Sequence, residues 1–253
     1  MRALPLLCAI AISCLIGCAH TNSPSNSALT DALANPARSE TDRARDQRDQ
    51  PQAVLAFAGF KPGDRIADIF GGGGYYSEIL SAVVGDRGRV LLINNQAYHD
   101  YTKKDLEPRL ASGRLKNVDY FIRPNDAMQL GTKALDGALI IMSYHDLYHA
   151  DAAQGWPAIA ADQFIDQIVN ALKPGGALLI VDHAARDGSG NTDAQTIHRI
   201  DEAFAIADFK KHGLVFEGAI DVLRHPDDDR SKNVFDEAIR GKTDRFVHLY
   251  RKP

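Results

Sequence analysis

Cysteine is nearly absent from this chain of 253 residues, which contains three, at positions 8, 14 and 18. The sequence after Cys18 therefore excludes disulfides, thiolate metal sites and a cysteine nucleophile from the folded part. A thiol-free domain is compatible with an oxidising compartment. Positive charge is not in excess either, since the formal net charge is -4. This balance gives no reason to expect nucleic acid or an anionic membrane surface as a partner.

A hydrophobic run long enough to cross a bilayer is also missing at the N-terminus. The apolar stretch from Ala3 to Ile16 follows Arg2 and is too short for a stable spanning helix. It ends in residues 15–18, LIGC, which resemble the lipobox of bacterial lipoproteins. The resemblance implies a signal peptide over residues 1–18, lipid on Cys18, and an envelope location in the periplasm. Because alanine and not aspartate follows Cys18, it implies the outer membrane; an ordinary secretory peptide is the alternative.

The rest of the chain divides into a tether and one domain. Residues 19–38 are rich in Ser, Asn, Pro and Thr and predict a flexible tether. Residues 39–253 are predicted to form one folded domain, because the composition is ordinary, with 45% hydrophobic and 25% charged residues. Within it, residues 42–50 alternate in charge and predict a solvated helix face. Residues 51–60 predict a helix packed inward, with a lid over a pocket as the alternative.

Strands alternate with helices along this domain. Apolar runs predict seven strands, at 66–69, 90–93, 118–122, 135–142, 177–181, 214–223 and 246–251. Helical spacing between them predicts crossovers, including one helix from about Thr192 to Gly213. The last two strands are joined by a polar insert that lacks a helical pattern. We therefore expect an α/β, Rossmann-like, doubly wound and mostly parallel seven-stranded sheet with an antiparallel C-terminal edge hairpin.

Four consecutive glycines, Gly71 to Gly74, follow the first predicted strand and precede a helix. Glycine permits positive φ and a close approach of a ligand to the backbone, and the helix N-terminus favours an anionic group. A tight turn without a ligand is the alternative. The predicted ends of five strands also carry polar groups. They are Asp68, Asn94, Asp126, the pair His145 and Asp146, and the pair Asp182 and His183. In a parallel sheet these ends meet at one edge, where ligands bind.

With these residues the chain resembles the class I S-adenosylmethionine (SAM)-dependent methyltransferases over about residues 51–253. Residues 66–74, IADIFGGGG, are similar to the family's first motif, and residues 172–181, LKPGGALLIV, to the turn before its fifth strand. The segments 42–46, 71–80 and 145–149 are similar to those of exported bacterial proteins labelled predicted methyltransferases. The resemblance implies SAM as cofactor. The residues that it implies for cofactor binding are Asp68, Phe70, Gly71, Gly72, Gly73, Gly74, Asn94, Asp126 and Ala127.

Two positions depart from the family pattern. Phe70 stands where the family has a glycine and narrows the methionine end of the pocket. Asn94 replaces the usual acid that holds the ribose hydroxyls, and the loss of a charge-assisted hydrogen bond is worth about 1 kcal/mol. Asp126 with Ala127 is implied to contact the adenine edge. The alternatives are a strand-end turn residue for Asn94 and a helix cap for Asp126.

Methyl transfer needs an in-line geometry and, for some acceptors, a base. The predicted catalytic residues are His145, Asp146 and His183, with His149 as a further base candidate, because a histidine beside a carboxylate suits proton transfer near neutral pH. Simple packing of residues 144–149 over the sheet is the alternative. A zinc or iron site built from His145, Asp146, His149 and His183 is a further interpretation. Arg199 is expected to meet an anionic substrate or to form a surface ion pair.

The first functional hypothesis is a SAM-dependent methyltransferase that acts on a small molecule in the cell envelope. SAM is made in the cytoplasm, so an exported protein also raises a second hypothesis, a methyltransferase fold reused to bind another ligand. Phe70 and Asn94 favour this second hypothesis. A metal-dependent enzyme that uses the histidines is the third.

Overall fold

The computed structural model describes residues 24–253, with side chains described from residue 27 onward. The predicted signal peptide, residues 1–18, and its lipidation site Cys18 lie outside this part of the chain.

One seven-stranded sheet forms the centre of the fold, in the order β3-β2-β1-β4-β5-β7-β6. The strands are β1 Arg65–Ile69, β2 Arg89–Asn94, β3 Val118–Ile122, β4 Leu135–Ile141, β5 Leu172–His183, β6 Val215–Ile220 and β7 Arg245–Arg251. Strands β1 to β5 pair in parallel, whereas β7 is antiparallel to both β5 and β6. The predicted mostly parallel sheet with an antiparallel C-terminal hairpin at one edge is therefore confirmed.

Helices cover both faces of this sheet. They are α1 Pro24–Ala34, α2 Glu40–Asp49, α3 Pro51–Ala58, α4 Tyr75–Val84, α5 Gln96–Ala111, α6 Ala161–Ala171, α7 Ala194–Ile197 and α8 Glu202–Lys211, with 3₁₀ turns at His145–Tyr148 and Ala152–Gln154. One apolar layer joins the sheet to α1, α3 and α4, and the other joins it to α5, α6 and α8. Within residues 24–253, no helix has the length and hydropathy of a membrane span.

Helix α1 lies inside the predicted tether. Its Leu29 and Ala32 are buried and belong to the same apolar cluster as the side chains of α3 and α4. The prediction of a flexible tether is wrong for residues 24–34, because apolar residues spaced three apart give this polar segment one face that packs. The folded part begins at least as early as α1 and not at residue 39.

The helix expected from Thr192 to Gly213 is interrupted between α7 and α8. Residues 198–201 leave the helix, and Ile200 pairs with the end of β5 through hydrogen bonds to His183 and Ala185. His198 takes a left-handed conformation, with φ at 56°. Arg199 is fully buried and pairs with Asp228 at 2.8 Å, so neither expectation for it, an anion contact or a surface ion pair, holds.

Candidate functional site

The four glycines form the predicted tight turn between β1 and α4. Gly72 and Gly74 have φ values of 58° and 79°, which favour glycine. A Cβ atom on Gly71 would lie 2.5 Å from the side chain of Asp68. This turn therefore needs glycine for its own geometry, whether or not a ligand approaches it.

Two of the predicted cofactor residues form hydrogen bonds within the protein, Asp68 to helix α4 and Asn94 to the glycine turn. Asp68 is buried and accepts a hydrogen bond from the Ser77 hydroxyl at 2.7 Å. Burial raises the pKa of Asp68 to about 6. Asn94 accepts from the Gly72 amide and donates to the Gly72 carbonyl, both at 3.0 Å. The Asn94 side chain is fully buried, so its two polar atoms serve the turn, as the strand-end interpretation of this residue anticipated.

Phe70 fills the space beside the turn. Its φ is 53° and its side chain is 4% exposed. The ring stacks on Tyr98 with centroids 4.4 Å apart and planes 8° apart, and it also lies 5.0 Å from Phe164. Phe70 is therefore part of the packed aromatic core that includes Tyr98 and Phe164.

The remaining cofactor candidates lie at the end of β3. Asp126 and Ala127 are exposed, in a turn that the Ala127 amide closes by donating to the Pro124 carbonyl at 3.1 Å. The neighbouring Asn125 accepts a hydrogen bond from Asn95 at 3.0 Å. Asp126 lies in a turn and not at a helix start, so the alternative of a helix cap is wrong.

Helix α5 also closes over the glycine turn. A Cβ atom on Gly73 would lie 3.0 Å from Asp105, and the Arg109 Nε donates to the Gly73 carbonyl at 2.7 Å. In this packing Phe70 is engaged by Tyr98 and Asn94 by Gly72, so SAM would fit beside the turn only with the Phe70 ring displaced.

A cavity of about 860 Å³ lies instead at the carboxyl ends of β4 and β5. The predicted catalytic residues His145, Asp146 and His183 line it, so the structure brings all three together. Of the described residues that line this cavity, none belongs to the predicted cofactor set. We call this space the His–Asp cavity.

His145 is held between two carboxylates. Its Nδ1 lies 2.7 Å from Oδ1 of Asp182, and its backbone amide donates to Oδ2 of Asp182 at 2.8 Å. Its Nε2 lies 3.2 Å from Oδ1 of Asp146. Burial lowers the pKa of His145, but the charges of Asp146 and Asp182 outweigh burial and raise this pKa well above its usual value. His145 is therefore protonated at neutral pH.

Asp146 contacts two residues from different parts of the chain, Tyr98 of α5 and His198 after α7. Its Oδ2 accepts a hydrogen bond from the Tyr98 hydroxyl, and its Oδ1 lies 3.6 Å from Nδ1 of His198. Burial raises the pKa of Asp146, but the charge and hydrogen bond of His145 outweigh burial and hold this pKa well below its usual value. Asp146 is therefore a carboxylate at neutral pH.

His183 behaves differently from His145 although the two ring centroids lie 6.0 Å apart. Its Nδ1 lies 2.8 Å from the Thr243 hydroxyl. Burial and the positive charges of His145 and Arg245 lower the pKa of His183 well below its usual value. His183 is therefore neutral at neutral pH.

Three arginines line one side of the His–Asp cavity and surround Asp49, which ends α2. Arg45, Arg48 and Arg245 approach the Asp49 carboxylate to 2.5, 2.9 and 2.8 Å. We call these three residues the arginine cluster. The predicted solvated face of residues 42–50 is present at residues 43, 44, 47 and 48, but the prediction is wrong for Asp42 and Asp49, which are buried in ion pairs. Three positive charges on one carboxylate leave this side of the cavity positive.

The sequence interpretation missed several residues of the cavity. Tyr98 and His198 contact Asp146, and Arg45, Arg48 and Arg245 form the arginine cluster. The signal for Arg45 and Arg48 was present in the charge-dense segment 42–50. Helical spacing placed His198, beside Arg199, on a face toward the strand ends, but its contact with Asp146 depends on the interruption between α7 and α8.

Comparison with known proteins finds relatives and solved structures that are named methyltransferases. The ubiquinone/menaquinone biosynthesis C-methyltransferase UbiE of Shewanella pealeana is 23% identical over 213 residues, which cover 78% of this chain and 77% of the relative. A SAM-dependent methyltransferase from Aquifex aeolicus superposes with a TM-score of 0.60 at 19% identity, over 89% of this chain and 97% of that one. The 4+2 cyclase SpnF superposes with a TM-score of 0.61 at 16% identity, over 91% and 94%. No protein-family model matches the chain.

The chain thus has the fold of class I SAM-dependent methyltransferases. SpnF, a cyclase by name, shares this fold with proteins named methyltransferases. The fold alone therefore does not determine the reaction, which depends on the residues of the site.

Proposed function

We propose that the protein is a SAM-dependent methyltransferase that acts on a small anionic molecule bound in the His–Asp cavity. Relatives named methyltransferases and the fold support the class of reaction. The proposed position of the acceptor rests on the cavity of about 860 Å³ that His145, Asp146 and His183 line. Its size is in the range of small-molecule sites.

The anionic character of the acceptor is supported by the arginine cluster. Asp49 neutralises one of the three guanidinium groups, and Arg48 has a side chain that is 45% exposed. Guanidinium groups bind carboxylates and phosphates through paired hydrogen bonds. An acceptor with such a group would orient it toward Arg48 and present its reacting atom to the histidines.

The two histidines have different roles in this proposal. His183 is neutral, and when its Nδ1 donates to Thr243, its Nε2 carries the lone pair that removes the acceptor's proton. His145 is protonated, and the carboxylates of Asp182 and Asp146 on either side of its ring fix it beside His183. Among the base candidates expected from the sequence, His183 takes this role in the proposal. SAM, when bound, supplies the methyl group.

A second candidate function is a SAM-independent reaction in the same cavity. The packing of Phe70 on Tyr98, and the use of both Asn94 polar atoms by Gly72, favour it. The catalytically inactive binding protein expected from the sequence as an alternative is supported by the same two observations. Mass spectrometry of small molecules that co-purify with the protein identifies the ligand in both cases.

Isothermal calorimetry of the full chain with SAM and with S-adenosylhomocysteine tests the first proposal. We expect weak heats for both ligands, with dissociation constants near the millimolar range, because Phe70 must leave its stack. Competition between the two ligands is the specificity control. An absence of heat with about 10 mM ligand, roughly ten times a dissociation constant of about 1 mM, rejects the SAM-dependent reaction and leaves the second candidate.

We also infer that the protein works in the cell envelope, anchored by lipid on Cys18, at the outer membrane where the cell has one. The support is the segment 1–18, with Arg2, an apolar stretch and a lipobox-like end. Two or more acyl chains anchor a protein stably.

Replacing Cys18 with serine is expected to abolish labelling by radioactive palmitate and to move the protein from the membrane to the soluble fraction. The neighbouring Cys14→Ser is the matched control and keeps both label and membrane association. An unlabelled wild type contradicts the lipoprotein inference.

A further inference from the structure

Three side chains in the His–Asp cavity direct ligand atoms toward one point. Nε2 of His145, Oδ1 of Asp146 and Nδ1 of His198 lie within 4.8 Å of one another. The separations from Asp146 Oδ1 are 3.2 Å to His145 and 3.6 Å to His198. Two ligand atoms that each lie about 2.1 Å from a tetrahedral metal ion are roughly 3.4 Å apart. The two distances from Asp146 Oδ1 are therefore close to the edge length of such a tetrahedron.

Hydrogen bonds from neighbouring residues hold two of these ligating side chains in position. Asp182, fully buried, binds the Nδ1 side of the His145 ring, which directs Nε2 into the cavity. Tyr98 donates to the far oxygen of Asp146 and leaves Oδ1 toward the two histidines. A carboxylate behind a ligating histidine and a donor behind a ligating carboxylate are the usual outer partners of protein metal sites.

The third ligand is left without a hydrogen bond. Nδ1 of His198 is buried and has no hydrogen-bond partner within the described part of the chain. A buried polar atom without a partner is costly. The cluster also contains two carboxylates, Asp146 and Asp182, which lie on either side of the His145 ring. A cation at the common point would satisfy His198.

We propose that His145, Asp146 and His198 bind a divalent transition-metal ion such as zinc or iron(II). Two imidazole nitrogens and one carboxylate oxygen suit these ions and leave further coordination positions open. The ion takes the place of the proton on Nε2 of His145. Its open positions face the cavity, where an anionic oxygen of the small molecule would bind.

The proposal corrects the ligand set expected from the sequence, and it goes beyond the proposed methyl transfer. His198 takes the place of His183, whose Nδ1 is directed to Thr243. His149 packs on His198 with ring centroids 4.4 Å apart and is not one of the three ligands. The site also does not depend on SAM, because none of its three ligands belongs to the predicted cofactor set.

The test measures metal and not activity. The full chain is purified in a mild detergent, dialysed against a chelator and titrated with zinc chloride by calorimetry, with bound metal counted by elemental analysis. Cobalt(II), which reports its coordination by visible absorption, is the second probe. We expect one zinc ion per chain and a cobalt spectrum typical of mixed nitrogen and oxygen ligands.

Two variants remove ligands and one is the matched control. His198→Asn tolerates the left-handed backbone, and Asp146→Asn removes the charge; each is expected to weaken zinc binding by at least about 100-fold. His183→Gln alters a histidine of the same cavity outside the ligand set and is expected to bind zinc as the wild type does. Thermal melts with circular dichroism confirm that each variant is folded.

Three outcomes would overturn the proposal. One is a wild type that binds no zinc or cobalt. The others are folded ligand variants that bind as tightly as the wild type, and a loss in His183→Gln as large as that in His198→Asn. If SAM calorimetry fails while zinc binds as expected, the metal site stands and the methyl-transfer proposal falls.

Discussion

Replacing Asp49 with asparagine is expected to lower the free energy of unfolding by about 3–5 kcal/mol at neutral pH, the usual result of leaving one partner of a buried ion pair uncompensated. The Asp49 and Arg245 side chains are 1% and 2% exposed, and the carboxylate and guanidinium lie 2.8 Å apart. Asparagine keeps the shape of the side chain and removes its charge, so Arg245 remains buried without a counter-ion. Urea unfolding followed by circular dichroism measures the change.

The matched control removes an outer member of the same group. Arg45→Gln deletes a guanidinium that also contacts Asp49 but is 29% exposed. We expect a loss of about 1 kcal/mol or less, the range of exposed ion pairs. If both variants lose the same stability, the buried pair with Arg245 is not what fixes α2 to the sheet.

The dependence on pH has a defined sign. Burial raises the pKa of Asp49, but the hydrogen bond from Arg48 and the charges of Arg45 and Arg245 outweigh burial and hold it well below its usual value. A lowered carboxyl pKa contributes stability that is present above the unfolded value of about 3.9 and is lost as the pH falls through the folded pKa. The stability difference between wild type and Asp49→Asn is therefore expected to be largest near neutral pH and to narrow below about pH 4. A difference that is constant from pH 7 to pH 3 contradicts this.

The Asp49 contacts also illustrate which structural features could be predicted from the sequence and which could not. The strands were predictable because four of them are apolar runs, and each run must be buried on both faces of a parallel sheet. The glycine turn was predictable because its signal is local. The contact of Asp49 with Arg245 joins residues 196 positions apart, and a charged segment read alone looks like a solvated helix.

The position of the functional site depended on such distant contacts. His145 and Asp182 are each at a predicted strand end, so their meeting follows from the topology. His198 reaches the cavity because residues 198–201 leave the helix to pair with the end of β5, against a helical pattern that continued through them. Phe70 was recognised as a departure from the family pattern. That its ring stacks on Tyr98, 28 positions later, required the structure.

Replacing Phe70 with glycine is expected to raise the affinity for SAM by about 100-fold. In the wild type a ligand beside the glycine turn must first displace the Phe70 ring. Exposing a buried phenylalanine costs about 2–3 kcal/mol, and separating it from Tyr98 costs about 0.5–1.5 kcal/mol more. A total near 3 kcal/mol corresponds to about two orders of magnitude in the dissociation constant. Calorimetry with SAM on the two proteins measures the ratio.

A stability measurement and a control variant distinguish a specific gain in SAM affinity from a general loosening of the aromatic packing. Phe70→Gly loses the packing of a large ring, worth about 3–5 kcal/mol, and regains about 1 kcal/mol because φ at 53° suits glycine. Phe164→Leu loosens the same aromatic group without altering the turn, so it is expected to lose stability and gain no affinity. A folded Phe70→Gly that binds SAM no better than the wild type would show that Phe70 is not the barrier. Because Asn94 would still be hydrogen-bonded to Gly72, we would then conclude that the glycine turn binds no ligand and that the ligand binds in the His–Asp cavity alone.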